Sequence, residues 1–472
     1  MTGTLSPLSV LELSKVFIAG QWVEPTCTDS SSVIDPATEQ VVAQVPSCDE
    51  RDVNQAVEAA RDAFPSWSAL SAAQRAVPLR RLLELMRRDR EPLAELIELE
   101  LGVPRAVGLT DHVDVPIAML EDAIELAGEQ HEERIHNSVV IREPVGVVAA
   151  ITPWNYPLYQ VLAKVAPALA VGCTVVLKPA EMTPLAALRF TQLVQEAGLP
   201  AGTFNLVLGQ GRVVGEALSA HPEVDFVSFT GSTDVGKRIV VRASESLKRV
   251  ALELGGKSAS VVLPGADLGQ AVVATVQNCM TNSGQSCSAW TRLLVPEGLR
   301  ARAVEIACAA ADELAASMGP VASRRQFDTV QGYLQAGIDE GVTVATGGVG
   351  RPADRDVGYY VKPTILTDVA PDSALAQEEI FGPVLCVIGY GDEEEAVAIA
   401  NDSRYGLHGA VWAEDRDTAV AVARRLRTGQ VDVNGADFNV HAPFGGFKES
   451  GWGRELGRHG LEEYLEVKSI QL

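Results

Sequence analysis

Between residues 145 and 229 the chain alternates short apolar runs with stretches of helical spacing, and no other feature constrains the fold as much. The runs lie at 145–151, 174–177, 204–208 and 224–229, with helical patterns over 185–197 and 212–220. Strands apolar along their whole length suit a sheet covered on both faces, and a helix between each pair supplies the crossover that a parallel neighbour needs. The expectation is α/β: a doubly wound parallel sheet, which takes ligands at the carboxyl ends of its strands.

The rest of the 472 residues has to be organised around that sheet, and such a length exceeds one small core. Upstream, Ser47-Cys48-Asp49-Glu50 has capping-box spacing. Val53, Ala56, Val57, Ala60 and Phe64 follow on one helical face, with further helices at 76–86 and 93–101. Downstream, a second α/β region spans about 257–448, with helical patterns at 268–283 and 301–316 and a strand at 383–388. Residues 138–143 and 464–472 read as exposed strands that pair with each other or with a second subunit. The expected division is a dinucleotide-binding domain (1–123 and 145–254), a catalytic domain (255–449) and a small β oligomerisation extension (124–144 and 461–472).

Composition removes several classes of function. A formal net charge of −23 opposes general nucleic-acid binding, because it repels phosphates. Seven cysteines, an odd number without C-x-x-C spacing, fit neither a disulfide framework nor a structural zinc site, and no metal is expected. Reduced thiols fit a cytoplasmic protein. Residues 1–16 lack the basic and apolar regions of a signal peptide. No apolar run approaches the roughly 20 residues of a membrane span.

Four segments carry chemistry. Gly209-Gln210-Gly211-Arg212-Val213-Val214-Gly215 follows a strand and opens a helix; it serves either as a turn or as a phosphate cradle. Phe229-Thr230-Gly231-Ser232-Thr233 does the same, and N–H groups at its helix start suit a pyrophosphate. Lys178-Pro179-Ala180-Glu181 ends a strand with an amine and a carboxylate, fitting ribose hydroxyls or a solvated charge pair. In Asn282-Ser283-Gly284-Gln285-Ser286-Cys287-Ser288, a glycine allows close backbone approach and a cysteine beyond it can attack a carbonyl. The other six cysteines read as small buried hydrophobes.

In order along the chain stand Pro153-Trp154-Asn155-Tyr156-Pro157, Lys178-Pro179-Ala180-Glu181, Phe229-Thr230-Gly231-Ser232 and Leu252-Glu253-Leu254-Gly255-Gly256-Lys257. They are followed by Gly284-Gln285-Ser286-Cys287, Glu379-Ile380-Phe381-Gly382-Pro383 and Pro443-Phe444-Gly445-Gly446-Phe447-Lys448. Through these motifs the chain resembles the aldehyde dehydrogenase superfamily, from about Phe17 to its end.

The resemblance implies an NAD(P)-dependent oxidation of an aldehyde to a carboxylic acid, with a small-molecule substrate and a homodimer or homotetramer. Cys287 would attack the aldehyde, forming a thiohemiacetal and then a thioester. The Asn155 amide and the Cys287 N–H would form the oxyanion hole. Glu253 would activate water, with Lys164 and Glu455 as a proton path or an ordinary ion pair. NAD, in preference to NADP, would lie against Thr152, Pro153, Trp154, Lys178, Glu181, Gly211, Gly215, Phe229, Thr230, Gly231 and Ser232, and beyond them Leu254, Gly255, Gln326, Glu379 and Phe381. Lys257 is left as structural. Tyr156, Gln160, Ala163, Ser286, Ser288 and Phe444 would line the substrate pocket.

At two positions the chain departs from many relatives: Ala163 replaces a tryptophan and Gln160 a methionine. These changes favour a bulky aldehyde, aromatic or polar, unless the loop at 437–439 refills the space. Two alternatives compete: a coenzyme A-acylating relative, which would lack the base glutamate, and a non-catalytic family member, which intact Asn155, Glu253 and Cys287 oppose.

Overall fold

A computed structural model describes residues 7–129 and 132–472. The expectation for the N-terminal residues 1–6, and for residues 130 and 131 within the 124–144 segment, falls outside the described residues.

The apolar runs become Val147–Ile151, Thr174–Lys178, Phe204–Leu206 and Phe226–Thr230, joined by a fifth parallel strand, Arg249–Glu253. Val147–Ile151 lies at the centre. The chain builds outward from it through Thr174–Lys178 to Phe204–Leu206, then returns to place Phe226–Thr230 on its other side. That reversal is the topological switch point, where strand ends leave a crevice for a ligand. Two short antiparallel strands, Val16–Ile18 and Gln21–Val23, finish one edge, and Gly451–Trp452 finishes the other, giving eight strands. Residues 451–452, in a stretch given to no domain by the sequence division, thus join this sheet. The helix Val115–Gly128 runs across the boundary expected at 123.

Helix ends are fixed by specific groups. Leu185–Ala197 starts where the buried Glu100 carboxylate accepts the N–H groups of Leu185 (2.5 Å) and Ala186 (3.1 Å), and it stops at Gly198 with φ +79°. The capping box upstream sits two residues later than its expected position. Asp49 caps Glu50–Ser68, and Asp52 accepts the Asp49 N–H at 3.0 Å. Asp49-x-x-Asp52 offers a carboxylate at both positions, which outcompetes the Ser47 hydroxyl.

A second, seven-stranded sheet runs in the order Thr343–Thr346, Thr364–Thr367, Val384–Tyr390, Arg292–Pro296, Ala259–Val262, Gly409–Trp412, Asp432–Val433, and only its first pair is antiparallel. The third sheet settles the pairing of the two exposed strands. Leu465–Gln471 pairs antiparallel with Ser138–Pro144, which also pairs with Glu133–Ile135.

Candidate active site

The singled-out segments converge at the carboxyl ends of the first sheet. Ile151 leads into Thr152-Pro153-Trp154-Asn155, and Tyr156 starts the helix Pro157–Val171. Lys178, Thr230 and Glu253 are the last residues of their strands.

Opposite them lies the cysteine loop, contributed by the second sheet's side of the molecule. The helix Leu268–Met280 ends there, and Asn282, Ser283 and Gly284 all adopt left-handed φ (+51°, +56°, +74°). A Cβ at 284 would meet the Gly382 carbonyl carbon at 2.1 Å, so glycine is obligatory. Two buried amides hold this turn. Asn155 Nδ2 donates to the Gln285 carbonyl (2.9 Å), and Asn282 Nδ2 donates to the Asn155 carbonyl (2.8 Å). The fully buried Gln285 side chain accepts the Ala322 N–H at 2.7 Å and donates to the Asn282 carbonyl at 3.0 Å. Among the described residues, one Asn155 amide hydrogen has no protein partner, as an oxyanion donor needs. The Cys287 carbonyl presses on Gly256, where a Cβ would come within 2.2 Å. Sequence reading assigned nothing to Asn282 or Gln285, because a bond between side chain and backbone across some 130 residues leaves no spacing signal.

Burial raises the Cys287 thiol above the ordinary thiol range, and the carboxylates of Glu379, Glu253 and Glu455 push it further. Glu253 is 4% exposed, lies against Gly445, and neither of its oxygens has a hydrogen-bond partner. Its carboxyl is held well above the usual range by burial first and by Glu455 second. Lys164, fully buried, pairs with Glu455 and donates to Thr230 Oγ1 at 2.6 Å. Burial thus shifts thiol and carboxyl the same way, each towards its protonated form, beside one buried ion pair.

Several groups surround a space suited to a dinucleotide. Trp154 and Phe381 meet edge to face, with centroids 5.4 Å apart. Glu379 accepts the Gly256 N–H at 3.0 Å and packs on Gly255; burial raises its carboxyl to about 7. Lys178 is buried with its amine 3.6 Å from the half-exposed Glu181 carboxylate. Ser232 caps the helix Thr233–Ala243, yet its side chain makes no capping bond, leaving first-turn N–H groups for an anion. Phe229 packs on Gly231, and Leu254 on Gly236. Thr152 is buried with an unpartnered hydroxyl, and Pro153 lies beside it, partly buried. Gly211 and Gly215 fall in a wide helical turn, Gly211–Gly215, with open space at both α-carbons. The amide of Gln326, expected at the cofactor, donates to the Ile380 (3.2 Å) and Phe381 (2.8 Å) carbonyls and so braces the Glu379–Phe381 segment. The Lys257 amine is buried without a partner.

The Tyr156 ring stacks on buried His112 (4.5 Å, 14°), and its hydroxyl lies towards the side chains of Ser286 and Asn282. The Ser286 and Ser288 hydroxyls are 3.2 Å apart, on either side of Cys287. Phe444 bridges Glu455 through its backbone and approaches Phe438 edge-on at 6.5 Å. Gln160 is 4% exposed with Oε1 unpartnered. Ala163 does not open a wide channel. It borders a cavity of about 20 Å³ closed by Met119, Asp122, Leu126, Val440 and Leu456, so neighbouring side chains fill the room a tryptophan would take.

Comparison with known proteins now decides the family: the profile described as "Aldehyde dehydrogenase family" matches residues 22–470. The chain belongs to the aldehyde dehydrogenase family. Oxidation of an aldehyde to the acid is the reaction of that family, and the α/β fold expected from the strand pattern is its fold. A 3-succinoylsemialdehyde-pyridine dehydrogenase from a Pseudomonas species is 45% identical over 465 residues, covering 96% of this chain and 97% of that protein. Among solved structures, a mutant of aldehyde dehydrogenase C from Pseudomonas syringae, complexed with NAD+ and octanal, superposes with a TM-score of 0.96. It is 46% identical, over 97% of this chain and 96% of the other. Betaine aldehyde dehydrogenase from Staphylococcus aureus, in complex with NAD+, has a TM-score of 0.95 at 38% identity, over 100% of this chain and 96% of that one.

Proposed function

We propose that this dehydrogenase oxidises a bulky aldehyde with NAD through a thioester on Cys287. The observation that carries the proposal is that Asn155 is bonded into the Cys287 loop while Glu253 lies near enough for its charge to bear on the thiol, since nucleophile, oxyanion donor and base are what acyl chemistry needs. NAD fits the residues present: uncapped N–H groups at Ser232 for its pyrophosphate, Lys178 and Glu181 for the adenosine ribose, Glu379 for the other ribose. When bound, NAD supplies the hydride acceptor. Glu253 in its ionised form takes the thiol proton and passes it out along Lys164–Glu455; Cys287 bonds to the aldehyde carbon, whose oxygen faces Asn155. After oxidation the Glu253 carboxylate, free again, deprotonates the water that hydrolyses the thioester, and that proton leaves by the same path.

A bulky substrate draws support from the relatives named above, one named for a pyridine semialdehyde and one crystallised with octanal. The unpartnered Gln160 amide oxygen gives the pocket wall a polar acceptor. We further propose the three-part division of the chain given by its sheets, and a homo-oligomer assembled through the third. Unpaired thiols at all seven cysteines support a cytoplasmic setting.

Cys287→Ala tests the core of this reading. It should abolish aldehyde oxidation while NAD still binds; a variant keeping a tenth of wild-type kcat removes Cys287 from the mechanism. A panel of acetaldehyde, octanal and aromatic aldehydes ranked by kcat/KM tests the substrate, and a maximum at acetaldehyde contradicts it.

A further inference from the structure

The cysteine loop is pinned upstream by Gln285, and its downstream pin is a histidine that the chemistry above does not use. His408 precedes the strand Gly409–Trp412 and is 5% exposed. Its Nδ1 lies 3.1 Å from the carbonyl oxygen of Ser288, the residue directly after Cys287. A carbonyl only accepts, so Nδ1 carries the proton in this contact. On the opposite side of the ring, Nε2 lies 3.0 Å from Oδ2 of Asp432, on the adjoining strand Asp432–Val433, without a hydrogen bond between them. Asp432 is itself held, its Oδ1 accepting from Gln430 Nε2 at 3.1 Å. The ring edge meets Trp290 at 5.8 Å, and the space beside it is about 10 Å³, room for one water at most. The imidazole is therefore held by packing and by its one hydrogen bond, through which it offers its N–H to the cysteine loop.

We propose that His408 is a positioning residue for Cys287. It fixes the Ser288 carbonyl, and through that peptide it sets where the sulfur and the oxyanion-hole N–H of Cys287 stand relative to Asn155. Such placement matters because a misplacement of about 1 Å can cost roughly 10²-fold in rate. The inference rests on Cys287 being the nucleophile.

Two substitutions separate hydrogen bonding from packing. His408→Asn keeps a donor at the place of Nδ1 but loses the ring. His408→Phe keeps the ring but loses the donor. The full-length enzyme is assayed for kcat, for KM of NAD and aldehyde, and for the second-order rate of iodoacetamide labelling at Cys287, read by peptide mass spectrometry. The expected result is that the asparagine variant stays within threefold of wild type in kcat and labelling. In the phenylalanine variant both should fall about tenfold or more, with KM for NAD within twofold. Asp432→Asn should produce a smaller fall in the same two quantities. Equal behaviour of the two His408 variants, or a phenylalanine variant better than the asparagine one, overturns the proposal and makes the ring's role packing. Failure of the underlying reading shows elsewhere, as a Cys287→Ala enzyme that still turns over.

Discussion

At the residue scale, the site is governed by burial of acids next to a thiol. Glu253 is shifted up chiefly by loss of water, so its oxygens become strong acceptors once the proton leaves by way of Lys164 and Glu455. Glu253→Gln preserves shape and removes the basic oxygen, and steady-state turnover should fall by about 10²–10⁴. Turnover within threefold of wild type would hand the water to another base. Glu181 acts differently, being half exposed and partly offset by Lys178. Its carboxylate should repel a 2′-phosphate, so the kcat/KM ratio should favour NAD, and Glu181→Ser should move that ratio towards NADP. A wild-type preference for NADP contradicts the placement. The acids, the amide and the thiol were all legible in the sequence as family motifs. The parts that hold them were not: Asn282, Gln285, His112 and His408 each reach a partner distant in sequence, and no periodicity encodes such a contact.

The elements themselves were legible where burial imposes a period. The helix Leu185–Ala197 matches its predicted bounds, and each apolar run became a parallel strand, because full burial leaves no polar position to blur the pattern. What escaped was local chemistry at the ends. The capping box moved from Ser47 to Asp49, and a wide helical turn, Thr110–Asp114, interrupts the helical stretch before Val115–Gly128. Such turns often mark functional sites, and this one delivers His112, fully buried, both ring nitrogens unpartnered, onto Tyr156. Burial lowers this imidazole from 6.5 to about 3. Because the folded value is depressed, its contribution to stability is whole above pH 6.5. It is lost as pH falls from 6.5 towards 3, where only the unfolded chain takes up the proton, at up to about 1.4 kcal/mol per pH unit. His112→Phe keeps the stacked ring and removes the two orphaned nitrogens. The variant should melt above wild type at pH 8, and the gap should widen at pH 5. A gap that does not change with pH would show that the ring is not buried neutral.

At the scale of the molecule, every group assigned to the chemistry comes from one chain, whereas the third sheet is incomplete by itself. Leu465–Gln471 pairs on one side with Ser138–Pro144, and among the described residues no strand covers its other side. Long unpaired edges invite pairing with another chain, and natural edges are usually blunted by charge. Here the edge is charged only in part: Lys468 pairs with Glu143, while Val467 is 66%, Ile470 42% and Leu472 71% exposed. Two apolar side chains on one open strand, with Leu472 just beyond it, fit a surface that a second copy covers. Val467→Asp combined with Ile470→Asp should therefore convert the proposed homo-oligomer to monomers, read as subunit mass by light scattering. The site does not need the second copy for any of its reacting groups, so kcat per subunit should stay within about threefold of wild type. A double variant that keeps its oligomeric mass places the interface elsewhere. Monomers with lost turnover would instead mean that assembly orders the site. The route for that effect is short: the Tyr464 carbonyl accepts the N–H of Val145, just before the central strand, and the Leu465 carbonyl accepts from Arg249 at 2.7 Å, on the strand that ends in Glu253.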